Sequence, residues 1–88
     1  MKFEWDETKR QNNIQKHNID FIDAVRIFYD DPLIIEDSRL EYSESRFWAI
    51  GLAKGIPIVV VHTYPNEYTI RIISARKATK QEHKIFFN

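Results

Sequence analysis

Cysteine is absent from this chain of 88 residues, which excludes disulfide staples and every metal site built on thiolates. Such a composition suits a reducing compartment. With only two glycines and three prolines, the chain has no glycine-rich phosphate loop and few turns written directly into its backbone. No apolar run reaches membrane-spanning length, the longest being residues 56–61 with Pro57 inside it. The opening Met-Lys-Phe-Glu-Trp-Asp is not built like a signal peptide. His17, His62 and His83 lack any paired spacing, so neither a metal nor another cofactor is expected. The reading is one small domain, residues 1–88, soluble and cytoplasmic, with no membrane contact. A domain of this size buries only about 60 to 65% of the surface of its unfolded chain, so its stability is modest or shared with a partner.

Net charge is lacking as well. The 13 Lys/Arg are balanced by 13 Asp/Glu, whereas a nucleic-acid binder usually shows a clear excess of base. The distribution carries what the total hides. Residues 1–45 hold six Lys/Arg against eleven Asp/Glu, net −5, and residues 46–88 hold seven against two, net +5. A molecule polarised in this way can turn a basic face to RNA and an acidic face to a basic partner, or can neutralise itself between its halves.

Phe3-Glu-Trp5 alternates like a short edge strand, and Asp6 is a natural cap for a helix over Glu7–His17. That helix has Ile14 as its only large apolar residue, so it lies on the surface, with Lys9, Arg10, Asn13, Lys16 and His17 forming a cationic and polar stripe. Asn18 fits a left-handed helix end. Asp20 caps a second helix, with Asp23 as the capping-box acid and Ile19 and Ala24 as a staple. Phe21, Ala24, Val25 and Phe28 give it an apolar face, and Asp31-Pro32 ends it. The period then becomes extended. Strands are expected over Leu33–Asp37, Arg46–Ala53, Ile58–Tyr64 and Tyr68–Arg76, with a loop over Ser38–Ser45, a tight turn at Lys54-Gly55 and another at Pro65-Asn66-Glu67. The order β-α-α-β-β-β-β-α is an α+β domain, an antiparallel meander with two N-terminal helices on one face and a short C-terminal helix.

The chemistry is concentrated in Thr69–Glu82, where a β-branched run carrying Arg71 and Arg76 passes into a Thr79-x-x-Glu82 capping box that starts a helix near Lys80. A guanidinium on a rigid strand beside a helix N-terminus suits a phosphate; equally, arginines on a sheet are often surface residues paired with carboxylates. Strict alternation sends Arg71 and Arg76 to opposite faces. Hairpin lengths place Arg46 opposite Thr63 and Thr63 opposite Thr69, which groups Arg46, Trp48, Thr63, Thr69 and Arg71 on one face and His62, Tyr64, Tyr68, Ser74 and Arg76 on the other.

Several separated motifs occur together in order. Phe3-Glu-Trp-Asp-x-x-Lys9, Asn13-x-x-Lys-His17, Phe21-x-x-Ala-x-x-x-Phe28 before Asp31-Pro, the Arg46-Phe strand, and Arg71-Ile-Ile-Ser-Ala-Arg76 before Thr79-x-x-Glu82 resemble the BrnT family of bacterial type II toxins along the whole chain. The resemblance implies a RelE-like ribonuclease fold, growth arrest by RNA cleavage, and neutralisation by an antitoxin of the BrnA type in a complex with two copies of each chain, DNA being met only through the antitoxin. Two positions depart from the family pattern. Asn18 stands where Gly is common, and Phe86 stands where Tyr is common, so position 86 offers no phenol for acid-base work.

RNA cleavage without a metal needs a base for the 2′-hydroxyl, cations for the charged phosphorane and an acid for the leaving 5′-oxygen. Arg46, Arg71 and Arg76 suit the phosphorane, since a guanidinium keeps its charge and grips two oxygens. His17 and His62 are the candidate proton carriers, and the family resemblance favours His17. Lys16, Lys77, Lys80, His62 and Tyr68 are expected to hold the RNA, the aromatics by stacking. Glu44 reads as a surface ion-pair partner of Arg46 or a general base. The rival reading is a module that binds RNA or docks a protein without catalysis.

Overall fold

The computed structural model describes residues 1–37 and 44–87. Five strands, β1 (Lys2–Glu4), β2 (Leu33–Asp37), β3 (Arg46–Ala53), β4 (Ile56–Asn66) and β5 (Thr69–Lys77), join three helices, α1 (Glu7–His17), α2 (Phe21–Ala24) and α3 (Lys80–Phe87). The sheet order is β1-β5-β4-β3-β2. Strands β2 to β5 form the expected meander, but β1 runs parallel to β5, with Lys2 beside Thr69 and Glu4 beside Arg71. The sheet is therefore mixed. Of the expected Ser38–Ser45 loop, residues 38–43 lie outside the described residues, and Glu44 and Ser45 are exposed and outside any strand.

Local chemistry explains the helix ends. The Asp6 carboxylate accepts from the Lys9 amide at 3.0 Å, and Asn18 closes α1 at φ 58°, the left-handed value that Asn tolerates. Asp20 accepts from the Ile22 amide at 3.0 Å and also takes a two-pronged bond from Arg10, whose Nε and Nη2 lie 2.8 and 2.9 Å from its oxygens. One cation of the α1 stripe thus joins the two helices.

The second helix differs from expectation in its winding. After one α-turn it continues as a 3₁₀ segment over Val25–Tyr29. In that tighter winding residues three apart align, so Phe21, Ala24 and Ile27 are the fully buried set, while Val25 and Phe28 pack only partly. Gly51 makes room for them. A Cβ on Gly51 would stand 3.0 Å from the Ile27 Cβ, and the bare backbone lets the 3₁₀ segment lie directly on β3.

The main core lies between the helices and the sheet, where Phe21, Ala24 and Ile27 meet Ala49, Ala53, Ile58, Val60, Ile70, Ile72 and Ala75. Ile50 and Val59 are also wholly buried, outside that cluster, on the opposite sheet face, which α3 approaches. The Lys54-Gly55 turn has φ of 52° and 78°, as a two-residue hairpin requires. The other hairpin turns at Glu67-Tyr68, between paired Asn66 and Thr69, with the Tyr68 amide donating to Asn66 Oδ1 at 2.9 Å. Pro65 belongs to an irregularity of β4 instead of to the turn, which fits a residue that cannot donate to the ladder.

Candidate functional site

Two register shifts between β4 and β5 decide which residues share the site. Thr63 pairs with Arg71, not with Thr69, because β4 has one extra residue between Thr63 and Asn66. Farther along, Val61 pairs with Ser74 while His62 pairs with Ile72, so Ile73 is an unmatched residue on β5. A one-residue bulge reverses the phase of everything after it. The strict alternation that separates Arg71 from Arg76 on paper therefore fails, and Ser74 and Arg76 move to the face of Arg46, Trp48, Thr63 and Arg71. The contact that follows is direct: the Arg76 guanidinium lies over the Trp48 ring, 5.7 Å from its centroid.

At the β1 end this face carries one continuous polar row. Glu4 lies beside Arg71, Arg71 opposite Thr63, and Asp37 opposite Arg46. Arg46 is one step along from the Phe47–His62 pair, which puts it opposite Thr63 and closes the row. Acid, base, hydroxyl, base and acid thus cross five strands. Arg71 Nε donates to Glu4 Oε2 at 2.6 Å with both side chains well exposed, a pairing worth at most about 1 kcal/mol. Thr63 is only 1% exposed, and its hydroxyl has no hydrogen-bond partner among the described residues.

Arg76 is held more firmly. Its Nη1 and Nη2 donate to the two oxygens of Glu82 at 2.8 and 2.9 Å. Glu82 Oε1 also accepts from the Thr79 amide at 2.8 Å, and the Glu82 amide donates to Thr79 Oγ1 at 3.1 Å, which completes the capping box. The Arg76 bonds, helped by the Thr79 amide, hold the Glu82 carboxyl at a pKa of about 2 against burial, which opposes them. The N-terminus of α3 is consequently not an open anion site. A resident carboxylate already stands where a phosphate was expected.

The remaining expected residues do not all share this face. His62 is a correction: it has no exposure and packs among Phe28, Phe47 and Tyr64 on the helix side of the sheet, out of reach of RNA. The Val60 carbonyl, 3.1 Å from His62 Nδ1, can only accept, so Nδ1 carries the proton and Nε2 accepts from the Tyr64 hydroxyl at 3.0 Å. Burial lowers the His62 pKa and raises that of Tyr64. Tyr68 stands at the hairpin tip, 74% exposed. Lys16, Lys77 and Lys80 are exposed on α1, the end of β5 and the start of α3. Lys77, one residue past Arg76, points to the other face.

Asn13 places His17. The Asn13 amide is 6% exposed; its Nδ2 donates to the carbonyls of Ile19 and Ala75 at 2.9 Å each, and its Oδ1 accepts from the Ala75 amide at 3.1 Å. A side chain thus stands in for a neighbouring strand on the part of β5 that β1 leaves unpaired. His17 lies four residues on, one turn further along the same side of α1, and is half-buried. A cavity lined by Asn18, Ile19, Ala53, Ile58 and Lys77 lies at that end of α1 on the helix side of the sheet, whereas Arg76, paired with Val59, is on the other face. Among the described residues no group of three metal-ligating side chains is found, and no helix is long and apolar enough to cross a membrane.

The sequence reading named Asn13 only as a stripe and motif residue and Glu82 only as a capping acid, and it missed the bond of Asn13 to Ala75, the grip of Glu82 on Arg76 and the bulge. Of these only the Glu82 contact carried a signal, since the capping box fixes that residue six positions beyond Arg76.

Comparison with known proteins identifies the family and the fold. The model of a family described as the ribonuclease toxin BrnT of type II toxin-antitoxin systems matches residues 5–82. The 1.1 Å crystal structure of the ribonuclease toxin BrnT from Brucella abortus is similar, with a TM-score of 0.73 and 34% identity over 91% of this chain and 99% of that one. No curated protein matches the sequence.

Proposed function

We propose a metal-independent cleavage mechanism for this chain, which belongs to the BrnT family of ribonuclease toxins of type II toxin-antitoxin systems. In the reaction a base takes the proton of a ribose 2′-hydroxyl, and the oxygen attacks the adjacent phosphorus. The 5′-oxygen leaves with a proton from an acid, giving a 2′,3′-cyclic phosphate and a 5′-hydroxyl. Arg76 stabilises the extra negative charge of the phosphorane, and Arg71 and Arg46 hold the neighbouring backbone. His17 carries protons, being the one of the two expected histidines that solvent reaches. Lys16, Lys77, Lys80 and Tyr68 contribute to RNA binding.

The observation that carries this reading is the bulge at Ile73, which brings three arginines from β3 and β5 to one face. As a type II toxin the chain has an antitoxin partner. In our reading that partner is of the BrnA type, covers the arginine face with carboxylates and apolar side chains, assembles with two toxin and two antitoxin chains, and is the only route by which the toxin meets DNA. Expression without the antitoxin arrests growth.

Incubating the purified protein with end-labelled RNA in EDTA tests the mechanism. New ends bearing cyclic phosphate are expected. RNA that is bound but intact would replace catalysis with a binding role, and cleavage only after a divalent ion is restored would refute the metal-independent route.

A further inference from the structure

The Arg76–Glu82 pair joins two facts that the reaction alone does not require. Glu82 is only 9% exposed, although it carries a charge. Both its oxygens engage the end of one guanidinium, and the same carboxylate is tied to the backbone at Thr79. On its other side the guanidinium rests on Trp48. An arginine has a long, flexible stem whose ordering costs rotamer entropy, yet here the charged end is fixed by a carboxylate with no freedom of its own, because the capping box locks it to the first turn of α3. Arg71 presents a contrast: its partner Glu4 lies on a three-residue edge strand with an exposed side chain, and nothing fixes the pair.

A carboxylate beside a catalytic cation has three conceivable roles. It could be the general base, but with a pKa near 2 and both oxygens already accepting from Arg76 it is a poor proton acceptor near neutrality. It could compete with RNA phosphate for Arg76, as a latch that must open, but a latch needs mobility and Glu82 is buried and doubly anchored. The third role remains. We infer that Glu82 is a positioning residue of the RNA-cleaving site, which fixes the Arg76 guanidinium over Trp48 in one orientation, so that the cation need not reorganise as the phosphorane forms. This rests on the role given to Arg76 under Proposed function.

A double-mutant cycle on RNA cleavage tests it, with wild type, Glu82→Gln, Arg76→Ala and the double variant measured in single turnover and by kcat and KM. Glutamine keeps the helix-start hydrogen bonds of the capping box while the charge-assisted grip is lost; thermal melts measure the stability that goes with it, and rates are compared at equal folded fraction. Gly51→Ala serves as the control that lowers the melting temperature from the Ile27 side of the sheet without touching the cap or the Arg76 pair, and it should leave kcat near wild type. Glu82→Gln should lower kcat by about tenfold to a hundredfold with little change in KM, since small misplacement of a catalytic group costs that much. In the Arg76→Ala background the same substitution should cost nothing further. Full or raised activity of Glu82→Gln would overturn the inference, as would an equal loss with and without Arg76, and in both cases the role of Arg76 would stand. If Arg76→Ala cleaves like wild type, the assignment of Arg76 itself fails and the inference falls with it.

Discussion

Replacing Asn13 with alanine should be among the most damaging single changes in this domain, although the sequence presents Asn13 as one polar residue of a solvated helix. The side chain makes three hydrogen bonds at 2.9, 2.9 and 3.1 Å, two of them to the backbone of Ala75, which is itself wholly buried. Alanine leaves the Ala75 amide without a partner and strips one bond from each of two carbonyls. An orphaned buried group costs about 1–3 kcal/mol. The amide bears that cost in full and the carbonyls, each with a second lone pair, bear less, so about 2–4 kcal/mol is expected in all. At roughly 0.05–0.15 kcal/mol per residue, that is a large share of the stability of so small a domain, and a fall in Tm of about 8–32 °C follows from roughly 4–8 °C per kcal/mol. Urea unfolding at neutral pH measures the free energy, and hydrogen exchange at the Ala75 amide reports the local loss. Asn13→Asp should cost at least as much, because the carboxylate still accepts from the Ala75 amide but faces two carbonyls it cannot serve. RNA cleavage should fall too, since Asn13 holds α1, and with it His17, against β5. A destabilisation below about 0.5 kcal/mol, the level of an ordinary surface substitution, would refute the strand-substituting role.

Glu82 provides a pH test: its folded pKa of about 2 lies below the ordinary glutamate value of 4.5, so its stabilisation is fully present above pH 4.5 and is lost as pH falls toward 2. The size is about 3 kcal/mol at 1.36 kcal/mol per unit, and acid unfolding of Glu82→Gln should lack this component. Gly51→Ala should destabilise by about 1–3 kcal/mol through overpacking, because the new Cβ meets the Ile27 Cβ at 3.0 Å; equilibrium unfolding checks it, and an unchanged midpoint would contradict the close approach of the 3₁₀ segment. Association with the antitoxin should slow as salt rises, and the complex should melt above the free toxin by mass action; stopped-flow rates indifferent to ionic strength would remove the electrostatic part of the docking model.

Elements with strong local signals were legible in the sequence. The Asp6 and Asp20 caps, the left-handed Asn18, the Lys54-Gly55 turn and the Thr79–Glu82 box are each set by residues within four positions of one another, and all are present. The parallel course of β1 and the partners of Asn13 depend on contacts across the whole chain, with Asn13 and Ala75 62 positions apart. The 3₁₀ winding of residues 25–29 depends on the space above Gly51, which no local propensity encodes. The site was half legible. Its arginines stood out by residue type, but their common face hangs on Ile73, which looks like any other isoleucine in a strand.

The central claim is that Arg76 acts on the reaction and not only on the fold. The direct measurement is the single-turnover rate of RNA cleavage in EDTA by Arg76→Ala, taken on protein shown to be folded by its melting curve and compared with wild type at the same folded fraction. Part of the stability should be lost, because Glu82 loses its partner, but the rate of the folded molecules should fall by about 10²-fold or more, the scale of removing one donor to a developing oxyanion. A rate that declines only in proportion to the unfolded fraction would contradict the account and leave Arg76 as the anchor of α3.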